Sequence, residues 1–413
     1  MPRSIRGISK EPSGIVGAVT FELGINYWPR RSAMYMWREL DIGEVREEMA
    51  QIAGMGFDVV RVFTLAQDFL PRPLTVSADM VANLVEVVRA AKDAGLKVVP
   101  TLVVINMSGK FWWPAWMLDK QGRPGDLFSD PTILRTQSML VEACARALAG
   151  EDSIRAFDLA NEIDDAQRPR TRDAGWLWAS LLANAIRRVA PGTPIQIGAH
   201  LPSLTTENYM RVDDVGELAD EDLMHAYPLY YPGARSFLDP ELVPFSCALT
   251  AGLSGRGRAP LMQEFGLCTA PPGAAGQTIT DDFLGRPLRQ YLASEEEAAD
   301  YYDAVLSRLV GIGASGAYAW CYGDYDPRLF DRAPVATAIR ERTFGLVRAD
   351  GSEKPAAGVF RNFRKRRDAD ALSGRQMRAV VPQVLDVSAD EYYRAPGKHF
   401  ARLYAKWVAE RPL

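Results

Sequence analysis

The chain has 413 residues, of which 47% are hydrophobic and 24% are charged, as in an ordinary globular enzyme. Its formal net charge of −4 provides no polybasic face, so we expect neither nucleic acid nor an anionic membrane as a partner. No apolar run reaches transmembrane length and residues 1–20 lack the apolar core of a signal peptide, which predicts a cytoplasmic protein.

Short apolar runs alternate with helical patterns from about residue 20 to residue 366. This alternation predicts βαβ units around a parallel sheet, and the nearly continuous apolar character of most runs is typical of strands that are covered on both faces. The eight candidate strands are Phe21–Tyr27, Asp58–Phe63, Lys97–Val104, Ile154–Ala160, Pro194–Ala199, Asp222–Tyr227, Pro260–Phe265 and Gly316–Cys321.

Local signals mark where several of the intervening helices begin. Ser77 is a candidate N-cap. Asp130 and Pro131 begin a second helix, with proline at the first helical position. Ser294 and Glu297 have the spacing of a capping box, in which each side chain bonds the other residue's backbone.

Eight strands favour a closed (β/α)8 TIM barrel over an open doubly wound sheet. A nucleotide-binding sheet is also disfavoured because no GxGxxG or GxxxxGK[ST] motif follows the first strand. We expect the barrel to span residues 20–366. Residues 367–413 are too few for an independent domain and are predicted to form an extension packed on the barrel, with a strand-like run at Ala379–Val387 and a final helix at Lys398–Val408.

Two strand ends carry a glutamate. The fourth strand ends in Asn161-Glu162 and the seventh in Glu264, 102 residues later, which is 34 for each of three βα units. Catalytic side chains of barrels lie at the C-terminal strand ends, and a charge that closes an apolar strand is costly unless it faces a polar cavity. The sequence therefore predicts that Glu162 and Glu264 converge on one site.

This arrangement resembles that of the clan A glycoside hydrolases, which carry glutamates at the ends of strands four and seven. Arg61 at the end of strand two, His225 and Tyr227 on strand six and Trp320 at the end of strand eight match the clan's pattern as well. The resemblance covers about residues 20–366. It is closest to the family-five cellulases and mannanases, especially to bacterial proteins described as endo-β-mannosidases, through residues 24–29 and 344–351.

The resemblance implies a retaining β-glycoside hydrolase that acts by double displacement, with Glu162 as acid/base and Glu264 as nucleophile, and with neither metal nor cofactor. Glu162 is then expected to be protonated when substrate arrives, with the higher pKa of the two. The family's histidine at the end of strand three is replaced here by Asn106. The predicted substrate-binding residues are Asn26, Arg61, Asn106, Trp113, Asn161, His225, Tyr227 and Trp320.

Other enzyme classes fit the sequence less well. Three histidines without HxH or HExxH spacing disfavour a metallohydrolase, no GxSxG motif supports a serine hydrolase, and four cysteines without a CxxC pair predict reduced thiols. A catalytically silent sugar-binding barrel is the alternative from another class, although both glutamates are present.

The length of the loops bears on the substrate. The loops after strands one, three, seven and eight are long, and such loops more often close a pocket around a short substrate than leave an open groove. We therefore expect a carbohydrate partner, namely short β-linked and manno-configured oligosaccharides. The specificities of β-glucosidases, cellulases, β-galactosidases and β-xylosidases use the same machinery and stay open, as do exo or endo action and the oligomeric state.

Overall fold

A computed structural model describes residues 21–283, 285–372 and 381–411 of the chain. Eight parallel strands form one sheet. They are β1 Glu22–Asn26, β2 Val59–Leu65, β3 Lys97–Val104, β4 Phe157–Ala160, β5 Ile195–Gln196, β6 Leu223–His225, β7 Leu261–Phe265 and β8 Gly316–Ala319. Their order in the sheet is β5-β4-β3-β2-β1-β8-β7-β6.

The two edge strands of this sheet, β5 and β6, meet beyond the end of β5. His200 and His225 form a parallel bridge there, and the His225 N–H donates to the Ala199 carbonyl over 2.8 Å. The sheet is thus a nearly closed barrel, and the predicted (β/α)8 fold is confirmed.

Helices follow the strands and cover the outside of the barrel. The longer ones are α1 Ile42–Gly54, α2 Ala78–Asp93, α3 Pro131–Leu148, α4 Arg172–Arg187, α5 Val212–Leu218, α6 Leu242–Ser254, α7 Glu295–Gly311 and α8 Pro355–Leu372, followed by α9 Ala389–Tyr393 and α10 Pro396–Ala409. Single turns of helix lie in the loops at Ala66–Phe69, Ile163–Ala166 and Leu201–Thr205, and two short antiparallel hairpins pair Asn106–Met107 with Lys110–Phe111 and Gln277–Phe283 with Arg286–Leu292.

The predicted helix starts are confirmed. The Ser77 hydroxyl accepts from the Met80 N–H at the start of α2, and Asp130 caps α3 ahead of Pro131. Ser294 and Glu297 form the complete capping box of α7.

The bottom of the barrel is filled by side chains. Val59, Val99, Ala156, Leu223, Leu261 and Tyr318 form a separate buried cluster. Tyr318 occupies the space opposite Gly24 on β1, where a Cβ atom would lie 2.1 Å from its ring. A ligand can therefore enter only from the opposite end, where the C-terminal ends of the strands lie.

The C-terminal segment packs on the barrel, but the strand predicted at Ala379–Val387 is wrong over its described part. Residues 381–387 have no regular structure, because their apolar side chains pack individually on the core. Residues 379 and 380 lie outside the described residues. Phe400 of α10 packs edge-on against Tyr231 and Phe245 with ring centroids 4.9 and 5.1 Å apart. Helix α8 runs across residue 366, and the predicted domain boundary there stays a prediction.

Two features bear on the chain's environment. All four cysteines are buried and free. In the part of the chain that is described, no helix combines the length and the apolar character needed to cross a membrane.

Candidate active site

The two glutamates face one cavity at the C-terminal end of the barrel. The cavity has a volume of about 760 Å³, and both Glu162 and Glu264 line it. One carboxylate oxygen of each glutamate and a ring nitrogen of His225 lie within 4.8 Å of one another. The predicted convergence of strand ends four and seven is thus seen in the geometry.

Glu162 leaves its strand in an uncommon backbone conformation. Its φ of 42° and ψ of 50° lie in the left-handed region, directly before the turn of helix Ile163–Ala166. A side chain in this region is strained by about 1–3 kcal/mol, and such strain persists where the surrounding structure fixes it. The abrupt change of direction turns the Glu162 carboxyl from the end of β4 toward the cavity.

Glu264 is held from two sides, and its side chain is 6% exposed. Nη1 of Arg61 donates a short hydrogen bond to Oε1 of Glu264, and the hydroxyl of Tyr227 donates to Oε2 over 3.0 Å. A cation and a neutral donor therefore fix the two carboxylate oxygens of Glu264, one on each oxygen.

Arg61 is fully buried beneath the cavity and connects Glu264 to three polar side chains from β1 and the end of β4. Its guanidinium donates to Asp158 at 2.8 Å, to the side-chain oxygen of Asn161 at 3.0 Å and to that of Asn26 at 3.1 Å. All its donor atoms have partners, so its position is fixed before any substrate binds.

Two histidines lie close to the Glu162 carboxylate. Nδ1 of His225 lies 3.0 Å from Oε1 of Glu162, and Nδ1 of His200 lies 3.8 Å from the same oxygen. Burial raises the pKa of Glu162, but the two histidines and Arg61 outweigh burial and lower that pKa to about 2. The two histidines thus favour an ionised Glu162 in the substrate-free protein, and its protonation when substrate binds stays a prediction.

His200 at the end of β5 is a site residue that sequence reasoning missed. It is buried, lines the cavity and contacts Asp164 through Nε2 at 2.8 Å. Burial lowers the pKa of His200, but Asp164, Asp165 and Glu162 together raise it to about 10. The rule that placed the glutamates, a polar residue at a strand end, would have found His200 as well.

The predicted substrate-binding residues fall into three groups. Asn106, Asn161, His225, Tyr227 and Trp320 line the cavity, whereas Asn26 and Arg61 lie beneath it in the barrel. Trp113 is not among the lining residues and packs partly buried against the core.

The long loops contribute further lining residues that had no signal in the sequence. Arg340, in the loop after β8, is fully buried and pairs at 2.7 Å with Asp281, which lies in the hairpin strand Gln277–Phe283. The Nε of Arg340 donates to the Tyr230 hydroxyl at 3.1 Å. Its neighbour Glu341 lies 3.4 Å from Arg340 Nε, and burial raises the pKa of Glu341. Loop length predicted a closed pocket, but no periodicity indicates which loop side chains turn inward.

The closeness of Glu162, His225 and Glu264 would also suit a cation, and we assign no metal to it. Arg61 already supplies positive charge to Glu264, and the second ring nitrogen of His225 lies 2.9 Å from the Gln263 side-chain oxygen. The arrangement places one carboxylate between a cation and a phenol, and the other between two imidazoles. Such a pair of carboxyl groups can attack a carbon centre and protonate a leaving oxygen.

Comparison with known proteins agrees with this chemistry. The family model described as cellulase (glycosyl hydrolase family 5) matches residues 32–272. No curated protein of similar sequence was found.

Several solved structures share the fold. The GH5_18 protein of Streptomyces cattleya, solved with GlcNAc, has a TM-score of 0.78 at 22% identity, covering 94% of this chain and 92% of that one. A GH5_18 variant from Bifidobacterium longum subsp. longum, solved with Manβ1-4GlcNAc, has a TM-score of 0.70 at 17% identity, covering 84% and 78%. The exo-β-1,4-mannosidase Op5Man5 of Opitutaceae bacterium strain TAV5 has a TM-score of 0.71 at 25% identity, covering 88% of this chain and 63% of that one.

Proposed function

Because the chain belongs to the cellulase family, glycosyl hydrolase family 5, and is an O-glycosyl hydrolase, we propose that it is a retaining, exo-acting β-mannosidase that cleaves short β-linked oligosaccharides. The retaining mechanism is supported by one distance: a carboxylate oxygen of Glu162 lies within 4.8 Å of a carboxylate oxygen of Glu264. A retaining pair stands about 5–5.5 Å apart so that one carboxylate can attack directly, whereas an inverting pair leaves room for a water molecule between them.

In the first step Glu264 is the nucleophile. Its carboxylate oxygen bonds to the anomeric carbon while the bond from that carbon to the leaving oxygen breaks, and Glu162 gives its proton to the leaving oxygen. In the second step Glu162 takes a proton from water, and the resulting hydroxide displaces Glu264. Arg61 and Tyr227 orient the Glu264 carboxylate for attack in the first step and bond to it again when it leaves in the second.

Other site residues hold the sugar. The side-chain oxygen of Asn161 accepts a hydrogen bond from Arg61. One N–H of the Asn161 side-chain amide donates to the Asn106 carbonyl at 3.1 Å. The second N–H is left to donate to the sugar 2-hydroxyl, an interaction that strengthens in the transition state. Trp320 lines the cavity at the end of β8, where its ring can stack on the apolar face of the sugar.

The pocket shape supports action on chain ends. A Cβ atom at Gly109, in the loop after β3, would lie 3.1 Å from Nη2 of Arg340 in the loop after β8, so these two loops touch above the mouth of the barrel. The cavity of about 760 Å³ is within the range of small-ligand pockets and suits a short oligosaccharide. A substrate that threads through an open groove would need these loops apart.

Manno-configuration is the finer part of the proposal. It is supported by the relatives' printed names, which include an exo-β-1,4-mannosidase and a GH5_18 protein bound to Manβ1-4GlcNAc. A panel of aryl β-mannoside, β-glucoside, β-galactoside and β-xyloside tests it, with the mannoside expected to give the highest kcat/KM. Proton NMR of the first product tests retention, since the β-anomer must appear before mutarotation. A dominant glucoside rate would replace the sugar assignment, and an α-anomer would overturn the mechanism.

We also propose that residues 20–366 form the catalytic barrel and that residues 367–413 are an extension of it. The packing of Phe400, Tyr404 and Trp407 of α10 against Phe245 supports one folding unit. A truncation before α10 is then expected to lower the melting temperature, and an unchanged melting curve would contradict the proposal.

A further inference from the structure

A buried histidine–aspartate pair stands beside Glu162, outside the set of residues that the family resemblance assigns. The side chain of His200 is 4% exposed and that of Asp164 is 5% exposed. Nε2 of His200 lies 2.8 Å from Oδ2 of Asp164, and Nδ2 of Asn208 donates to the same oxygen at 2.6 Å. The aspartate is thus held between two donors, and the imidazole ring is fixed.

These contacts determine which ring nitrogen of His200 points toward Asp164 and which points toward the cavity. Since the partner of Nε2 is a carboxylate, Nε2 carries a hydrogen and donates it. Nδ1 is left on the side of the cavity, 3.8 Å from Oε1 of Glu162 and 3.8 Å from Oδ2 of Asp165. A proton on Nδ1 therefore stands next to the carboxylate that must donate one.

We propose that His200 is a positioning residue that holds, in the substrate-free enzyme, the proton that Glu162 later delivers to the leaving group. This rests on the proposed role of Glu162 as acid/base. When the glycoside binds, Nδ1 of His200 and Oε1 of Glu162 move from 3.8 Å apart to hydrogen-bond distance, and the proton passes to the carboxylate, which leaves a neutral imidazole and a carboxylic acid. Glu162 then gives the proton to the leaving oxygen as the glycosidic bond breaks, and it receives one back from water in the second step.

The charges around His200 favour this storage site. From the β4 end it faces Glu162, Asp164 and Asp165, and Arg168 acts on Asp165 from the same loop. From β6 it faces His225, which is bridged to it through the backbone. Three carboxylates around one imidazole favour its cationic form, so the pair of Glu162 and His200 shares one proton that resides on the imidazole.

His225 is the competing storage site and is less suited. Its Nε2 lies 2.9 Å from the side-chain oxygen of Gln263, a neutral amide whose own nitrogen donates to Gln196 at 2.9 Å. A neutral amide stabilises an imidazolium less than the Asp164 carboxylate does. Burial and the charge of Arg61 lower the pKa of His225, although Glu264 and Glu162 raise it overall.

The kinetic test compares two substrates that differ in their need for a proton. We expect His200→Gln to lower kcat/KM for Manβ1-4GlcNAc about 100-fold, and to leave the rate of glycosylation by a dinitrophenyl β-mannoside within about 3-fold, because an activated leaving group departs without an acid. The alkaline limb of the kcat/KM profile for the disaccharide should move to lower pH by about one unit or more, since Glu162 must then hold the proton alone. Asp164→Asn should move the same limb in the same direction.

His399→Gln is the matched control, because this third histidine lies on α10 away from the cavity and should alter neither rate nor profile. Equal losses for both substrates in His200→Gln, with an unmoved alkaline limb, would show a merely structural role and overturn the proposal.

A readout independent of turnover separates this proposal from the proposed function. The chain contains three histidines, so ¹⁵N-histidine labelling gives three imidazole spectra, and His200→Gln identifies one of them. We expect the His200 ring in the substrate-free protein to remain cationic at pH 7 and to become neutral in the Glu264→Gln variant saturated with Manβ1-4GlcNAc. A neutral His200 in the free protein overturns the proposal even if mannosides are hydrolysed. If His200 is cationic in the free protein but the protein cleaves no glycoside, the proton-storage proposal is kept and the proposed function is rejected.

Discussion

The hydroxyl of Tyr227 lies 3.0 Å from Oε2 of Glu264 and donates to it. Burial and the charge of Glu264 raise the pKa of Tyr227 well above its usual value, so the phenol stays a donor throughout the pH range in which the enzyme would work. The Tyr227 hydroxyl therefore remains a donor to Glu264 in both steps of the proposed reaction: when the carboxylate attacks the sugar and loses its negative charge, and when it leaves and regains that charge.

Removal of this donor should slow the reaction without unfolding the protein. A hydrogen bond to a charged group contributes about 1.5–3 kcal/mol, so Tyr227→Phe is expected to lower kcat/KM about 10- to 100-fold. Tyr209→Phe, at an exposed position, is the control and should leave kcat/KM unchanged. If Tyr227→Phe keeps full activity, the phenol does not support the nucleophile.

Loss of either glutamate should abolish turnover of unactivated substrates. Glu162→Gln and Glu264→Gln are each expected to lower kcat by about 1000-fold or more, with unchanged circular dichroism, because both groups act directly at the breaking bond. Azide should rescue Glu264→Ala as a glycosyl azide of inverted configuration, and should rescue Glu162→Ala with retained configuration. Near-normal turnover in both glutamine variants would remove the assignment.

Substrate length distinguishes a closed pocket from an open groove. A disaccharide should be cut with kcat/KM at least comparable to that of a hexasaccharide, and mannose should be released from the non-reducing end, because the loops after β3 and β8 meet above the mouth. Time-resolved product analysis measures this. Rates that climb steeply with chain length, or early internal cleavage, would show that distant sugars contribute binding energy and would exclude the pocket.

Two tryptophans should respond differently to truncation. Trp320 lines the cavity, so Trp320→Ala is expected to lower kcat/KM for the aryl mannoside about 10-fold or more through loss of stacking area. Trp113 is a predicted substrate-binding residue, but it is not among the lining residues, and Trp113→Ala should change KM less than about 2-fold. A large KM effect at Trp113 would mean that the loop after β3 rearranges when substrate binds.

The loop after β8 shows where sequence reasoning reached its limit. Its glutamate, Glu341, lies in the cavity wall because Arg340 is anchored by Asp281, almost sixty residues earlier in the chain. Asp324 of the same loop instead accepts from Lys354 at 2.7 Å and from the Gly345 N–H at 2.9 Å, and it is not among the residues that line the cavity. Neither outcome has a local signature, because each depends on which distant loop supplies the partner.

The sequence by itself determined the barrel and the two glutamates that face its cavity. The apolar strands, the capping residues and the glutamates at strand ends are local patterns, and an eight-stranded barrel places every strand end at the same mouth. The tertiary structure alone decided the electrostatics of that pair. Glu162 has a second imidazole beside it because β5 brings His200, held by Asp164, to within 3.8 Å of it. Charge interactions depend on distances between strands and on burial, and neither quantity can be read from the order of residues along a chain.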